Sequence, residues 1–120
     1  MQRSHKELRA WQAAMRLVQE VYALTSTFPK EELFGLSSQM RRAAVSVPSN
    51  IAEGSARKGT KELIHFLSIS SGSLSELDTQ LELTKMLGYS NDITKIQATL
   101  DETSALTLAL AKSLKSKLDL

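Results

Sequence analysis

The side chains best able to do chemistry in this 120-residue chain are few, and most lack the neighbours that chemistry needs. Glu62 and His65 form a Glu-x-x-His pair, the spacing with which ferritin-like bundles present two metal ligands from one helix face. Such a centre needs the pair twice, plus a glutamate from each of two further helices. The other histidine, His5, has Gln2 three residues before it, so there is no second pair. His65 also points away from the apolar seam of its helix, as a solvated or interface histidine does, and no metal or other cofactor is expected. The many serines fall within helical patterns, with no histidine or carboxylate spaced to activate a hydroxyl, so no nucleophilic constellation is present. Cysteine is absent, which removes disulfides, thiolate catalysis and cysteine-bound zinc together. The expected protein is not an enzyme.

What remains is cationic. Arg57, Lys58 and Lys61 surround the break between Gly54 and Gly59, where Thr60 begins a helix. The turn lacks the lysine-hydroxyl pattern of a nucleotide-binding loop. It reads either as a phosphate site at a helix N-terminus or as a solvated turn. Arg9 and Arg16 lie on the polar arc of the first helix, and Arg41 and Arg42 lie in the central one. Together with Arg57, Lys58 and Lys61 they are the candidate contacts to the phosphates of RNA; the alternative is that they pair with Glu20, Glu53 and Glu62 within or between subunits. The net charge is +2, with nine Lys/Arg against five Asp/Glu in residues 1–60 and six against eight in residues 61–120. That asymmetry permits a nucleic-acid partner without requiring one.

Helices must position these residues, because the chain has two prolines, five glycines and no alternation of period two. The first helix is predicted over residues 6–26, with Leu8, Trp11, Met15, Val18 and Tyr22 on one stripe and Ala14, Leu17, Val21 and Leu24 beside it. At about 100° per residue the apolar arc is about 220° wide. One-sided packing needs only about 100° or somewhat more, so the excess predicts contact with a second subunit. Phe28-Pro29 ends this helix, and Pro29 is expected to open the next, with Glu31 and Glu32 at its positive end.

In the second helix Leu33, Leu36, Met40, Ala43, Ala44, Val47, Ile51 and Gly54 share one face. Gln39, Arg42, Ser46, Ser49, Asn50, Glu53 and Arg57 form a polar stripe that is either a solvated face or a partner-binding one. Phe34, Val45 and Ala52 make a further apolar strip. Pro48 removes an N–H from the ladder and predicts a kink, with Ser46 and Ser49 placed to bond the freed backbone. The third helix is predicted over residues 60–87, capped by Thr60, with Leu63, Phe66, Leu67, Ser70, Leu74, Leu77 and Leu81 as its seam. The small residues around Gly72 predict a close helix crossing. Gly88 is the expected C-terminal cap, and Ser90, Asn91 and Asp92 are cap candidates for a fourth helix with its seam through Ile93, Ile96, Leu100, Thr103, Thr107, Leu110, Leu114 and Leu118.

Short links between long helices predict antiparallel neighbours. The predicted fold is all-α: one domain over residues 1–120, an antiparallel up-down-up-down four-helix bundle with a kinked second helix. No apolar run approaches the roughly 20 residues needed to span a bilayer, and residues 1–10 are charged where a signal peptide is apolar. No membrane partner and a cytoplasmic location are expected.

The strings Trp11-Gln12, Phe28-Pro29 with Glu32 and Gly35-Leu36, QMRRAAVSVPSNIAEG over residues 39–54, Gly72-Ser73 followed by Glu76-Leu77, and Leu87-Gly88-Tyr89 carry a family resemblance. Over residues 8–118 the chain resembles the four-helix bundle proteins named after the intervening sequences of bacterial 23S ribosomal RNA genes. The resemblance implies a left-handed bundle assembling as a ring, a homopentamer, in the bacterial cytosol, and it implies no enzymatic activity. A related bundle family serves diversity-generating retroelements as a basic pentamer that engages a reverse transcriptase and nucleic acid. The leading reading is therefore an oligomeric module associated with RNA or other nucleic acid. The alternative is a scaffold or accessory subunit that binds another protein, such as a reverse transcriptase-type partner.

Overall fold

The computed structural model describes residues 4–118. A 3-10 turn over Ser4–Glu7 leads into α1 (Arg9–Thr25), a second over Lys30–Glu32 precedes α2 (Leu36–Ala56), and α3 (Thr60–Met86) and α4 (Thr94–Leu118) follow. Among the described residues there is no strand. Each helix packs on the next, and α4 returns to α1.

Local chemistry sets the helix ends. α1 stops where the hydroxyls of Thr25, Ser26 and Thr27 donate back to the carbonyls of Val21, Ala23 and Leu24 at 2.8, 2.7 and 2.7 Å, bonds that compete with further helix. α2 does not open at Pro29. It begins at Leu36, after the short 3-10 turn, because Gly35 leaves the helical region (φ −115°, ψ −114°). Glu32 still serves a helix start, since its carboxylate accepts the Leu36 N–H at 3.0 Å. Leu33, expected on the core face, therefore sits in a turn and is 53% exposed. α3 begins with Thr60 itself, so Thr60 is inside the helix and its hydroxyl is not the cap; Gly59 occupies the capping position. At the other end the prediction holds: Gly88 has φ +74°, and the N–H groups of Gly88 and Tyr89 bond the carbonyls of Lys85 and Thr84 at 3.0 Å each, closing the last turn as a left-handed glycine does. Asp92 accepts the Thr94 N–H at 2.9 Å at the start of α4.

The seams close into one core. Leu17 and Val21 of α1, Met40, Val47 and Ile51 of α2, and Leu67, Leu77 and Leu81 of α3 are fully buried, joined by Ile96 and Leu100 of α4. Each such side chain stabilises the fold by about 1.5–3 kcal/mol. Thr103 and Thr107 are tolerated at the centre of α4 because their hydroxyls donate one turn back, to Thr99 and Thr103 carbonyls at 2.7 and 2.8 Å, which satisfies a buried polar group without a partner helix. α2 is continuous through the buried Pro48.

Residue pairs fix how neighbouring helices run. Along α2 and α3, Ser46 meets Ser73, Val47 meets Ser70 and Gly54 meets Phe66, so the two run in opposite directions. Ser46, expected to serve its own backbone, instead accepts from Ser73 Oγ and Asn50 Nδ2 at 2.9 Å each. Along α1 and α4, Arg16 meets Glu102 and Glu20 meets Thr99; along α1 and α2, Tyr22 and Thr25 meet Arg41. Around Gly72 it is Ser70 and Ser73 that meet α2, Ser70 donating to the Val47 carbonyl at 2.9 Å, whereas Gly72 itself faces away, since a Cβ there would meet nothing within 4 Å; the closest approach between helices at a glycine is elsewhere. It lies at Gly54, where a Cβ would stand 2.7 Å from Phe66 Cβ. The resulting rod measures 50 × 26 × 20 Å.

Candidate functional site

Opposite running directions put the start of α1, the α2–α3 turn and the end of α4 at one end of the rod. Arg9, Arg57, Lys58 and Lys61 thereby come together, all exposed. Arg57 donates to Glu53 at 2.6 Å and its guanidinium lies 5.3 Å from the Phe66 ring centre. Arg9, Lys58 and Lys61 are in no ion pair among the described residues.

The other three predicted cations lie elsewhere. Arg16 is at mid-height, paired with Glu102 across α1 and α4. Arg41 is near the far end and half-buried; its Nε donates to Thr25 Oγ1 at 2.9 Å and its guanidinium stacks 4.7 Å from the Tyr22 ring centre, so it ties α2 to α1. Arg42, the next residue of α2 and at nearly the same level, is exposed and lines a polar groove of about 450 Å³ with Gln39, Ser46, Ser73 and Glu76 between α2 and α3. Of the glutamates expected as partners, Glu53 holds Arg57, Glu20 accepts from Thr99 Oγ1 at 3.1 Å, and Glu62 is exposed.

Reading the sequence by halves misses three members of the basic end. Lys112, Lys115 and Lys117 belong to the acidic half of the chain, yet α4 brings them to the end of the bundle where α1 starts. With Lys6 the described end carries eight cations against Glu7, Glu53 and Glu62. The available signal was the short link after Gly88, which reverses α4 and returns its C-terminus to the start of α1.

At the far end, over residues 22–41 and 78–97, four cations face five carboxylates, and several of these have structural partners. Tyr89 Oη donates to Glu32 at 2.6 Å. That bond, with the Leu36 N–H, holds the Glu32 carboxyl below its ordinary range, and the same carboxylate pushes the Tyr89 phenol up. The Thr94 N–H lowers Asp92 in the same way.

A third surface is apolar. Tyr22, Leu33, Phe34 and Val45 line a groove of about 660 Å³ between α1 and α2, flanked by Arg41 and Arg42. Phe34 is 93% exposed. Tyr22, Phe34 and Val45 belong to the excess apolar surface expected of the first two helices, although Phe34 lies in the turn before α2 and Ala52 does not line the groove. Exposed apolar patches of this kind mark interaction sites.

Glu62 and His65 are both exposed, and His65 packs edge-on against Phe66 at 5.7 Å. Among the described residues no three His, Asp or Glu side chains converge as metal ligands, and no helix is long and apolar enough to cross a membrane.

A family model described as 23S rRNA-intervening sequence protein matches residues 6–109. A search of curated proteins found no match.

Proposed function

A chain matched over residues 6–109 by that model belongs to the 23S rRNA-intervening sequence protein family, and on that premise we propose that it is a non-enzymatic, self-associating bundle that holds RNA by its phosphates. The observation that carries this reading is the gathering of Arg9, Arg57, Lys58 and Lys61 from separate segments at one end of the rod. Arg9, Lys58 and Lys61 are in no ion pair among the described residues, and such cations are the side chains that displace counterions from a nucleic-acid backbone. Few aromatic side chains accompany them, so binding is by phosphate contact and largely insensitive to base sequence.

Self-association is supported by the exposed face of Tyr22, Phe34 and Val45. The protein works as a cytoplasmic homo-oligomer, five subunits being the number the family resemblance implies, and the ring repeats a weak site so that one RNA is held by avidity. Light scattering coupled to gel filtration is expected to give a single mass several times 13.2 kDa. Fluorescence anisotropy with a structured RNA is expected to show binding at about 50 mM salt that weakens steeply by about 200 mM. Replacing Arg57, Lys58 and Lys61 by glutamine is expected to weaken binding uniformly across RNA sequences.

One observation favours a second reading, a scaffold or accessory subunit for a protein such as a reverse transcriptase. The groove of Gln39, Arg42, Ser46, Ser73 and Glu76 mixes donors and acceptors, as a protein ligand requires and a phosphate does not. A stable oligomer that binds no RNA at the lower salt selects this reading.

A further inference from the structure

The last turns of α4 carry a surface with the chemistry of an anion site. A groove of about 510 Å³ on the helix is lined by Ala109, Lys112, Ser113, Ser116 and Lys117. Lys112 and Ser116, and Ser113 and Lys117, are four residues apart and therefore neighbours on the helix surface. The polar groups are two ammoniums, which only donate, and two hydroxyls, which can donate; no carboxylate lines the groove.

Two structural roles account for part of this. Lys115 and Lys117 lie in the last turn of α4, where cations favour the negative end of the helix dipole. Lysines on exposed helices are also often matched by a carboxylate one turn earlier. Neither role covers Lys112, which lies before the last turn, and residues 103–118 contain no Asp or Glu. The residues one turn before the three lysines are Leu108, Ala111 and Ser113. The carboxylates of α4, Asp101 and Glu102, lie more than two turns before Lys112, and Glu102 holds Arg16. Among the described residues, the carboxylates from the elements that share the groove's end of the bundle are Glu7, Glu53 and Glu62, and Glu53 already holds Arg57.

Resting on the RNA reading above, we infer that Lys112, Ser113, Ser116 and Lys117 form a second phosphate-binding strip, which with Arg9, Lys58 and Lys61 holds the phosphodiester backbone of one RNA across the end of the bundle. The rod is 26 and 20 Å in cross-section, so the two groups meet different phosphates. That geometry needs a polyanion rather than a single free phosphate.

The test is anisotropy with a fluorescent structured RNA and the full chain, at about 50 and about 200 mM salt. Three proteins are compared: wild type, Lys112→Gln/Lys115→Gln/Lys117→Gln, and Lys30→Gln/Lys85→Gln/Lys95→Gln, which removes the same charge from the far end. The α4 variant is expected to lose about tenfold or more in affinity at the lower salt and to show a salt slope shallower by roughly one per contact removed. The far-end variant is expected to stay within about twofold of wild type, because charges beyond a Debye length are screened. Lys112→Gln alone carries part of the loss, and it spares the last turn should the triple change fray the helix. Inorganic phosphate in place of chloride at equal ionic strength is expected to displace little RNA; efficient displacement overturns the polyanion claim. Equal losses in both triple variants, or none in the α4 variant while wild type binds, overturn the strip and leave the RNA reading standing. No binding by wild type at the lower salt overturns the RNA reading, and the strip with it.

Discussion

The two ends of this bundle are made of the same residue types and use them differently. At the far end charged groups hold the chain together: Glu32 receives both Tyr89 Oη and the Leu36 N–H, Asp92 receives the Thr94 N–H, and the Gln97 amide bridges Asp78 and Asp101. Arg41 there is stacked on Tyr22 and bonded to Thr25. At the basic end the α2–α3 turn is closed by backbone, with Arg57 N–H bonding Gly54 and Leu63 N–H bonding Gly59 at 3.2 Å each. Among the described residues Arg57 alone of the cations there has an ion pair. A charge with a structural partner explains its own presence; a charge without one is a candidate for an outside ligand.

The largest expected effect tests what holds the basic end in shape. Gly54→Val forces a side chain into the space of Phe66 and Leu63 and is expected to destabilise by about 1–3 kcal/mol, read as a lower urea midpoint. Gly72→Ala, with nothing near its Cβ, is expected to stabilise by about 1 kcal/mol, the helix-propensity difference alone. Similar effects at both glycines would remove the distinction between a contact glycine and a surface one.

These glycines also separate what the sequence makes legible from what it does not. Apolar spacing identifies the four helices, the core face through Met40, Val47 and Ile51, and the α3 seam through Leu67, Leu74 and Leu81, because each is periodic within one helix. Gly88 is legible because a glycine after a helical run has one common use. Which glycine faces a neighbour closely is a distance between helices, and no single helix's period contains it; hence the small residues around Gly72 are expected at a crossing, Ser70 and Ser73 are the ones that meet α2, and the close glycine is Gly54. The start of α2 depends on Glu32 bonding forward to Leu36 and on Tyr89, 57 residues away in sequence. The candidate site divides likewise. Arg9, Arg57, Lys58 and Lys61 are read correctly as exposed cations, whereas Lys112, Lys115 and Lys117 join them only once α4 is turned back along the bundle.

An intermediate effect tests the far end. Its carboxylate is depressed by the Tyr89 hydroxyl first and the Leu36 N–H second. The stability it contributes is present above the ordinary carboxylate range and is lost as pH falls through the lowered value. Glu32→Gln is therefore expected to melt at a lower temperature than wild type at neutral pH. The gap should narrow as pH falls below the ordinary carboxylate range and through the lowered value. A gap that widens on acidification would show that Glu32 is not held as a carboxylate.

The smallest effect is at the basic end. Glu53→Gln releases Arg57 from an exposed pair four residues apart, and stability is expected to change by less than about 0.5 kcal/mol. Removing one of the carboxylates at that end is expected to tighten RNA binding modestly. Weaker binding would mean that the Glu53 pair aims Arg57 at the ligand.

The unequal ends also determine how the molecule meets a polyanion before touching it. The rod is 50 Å long, about five times the screening distance of about 10 Å at 0.1 M salt, so an approaching strand senses only the end nearest to it. Encounters at the basic end are prolonged by attraction, and those at the far end are not. Selection of orientation therefore belongs to the association step, and lowering the salt speeds productive encounter. The folded chain acts as an electrically polar object whose approach is already aimed.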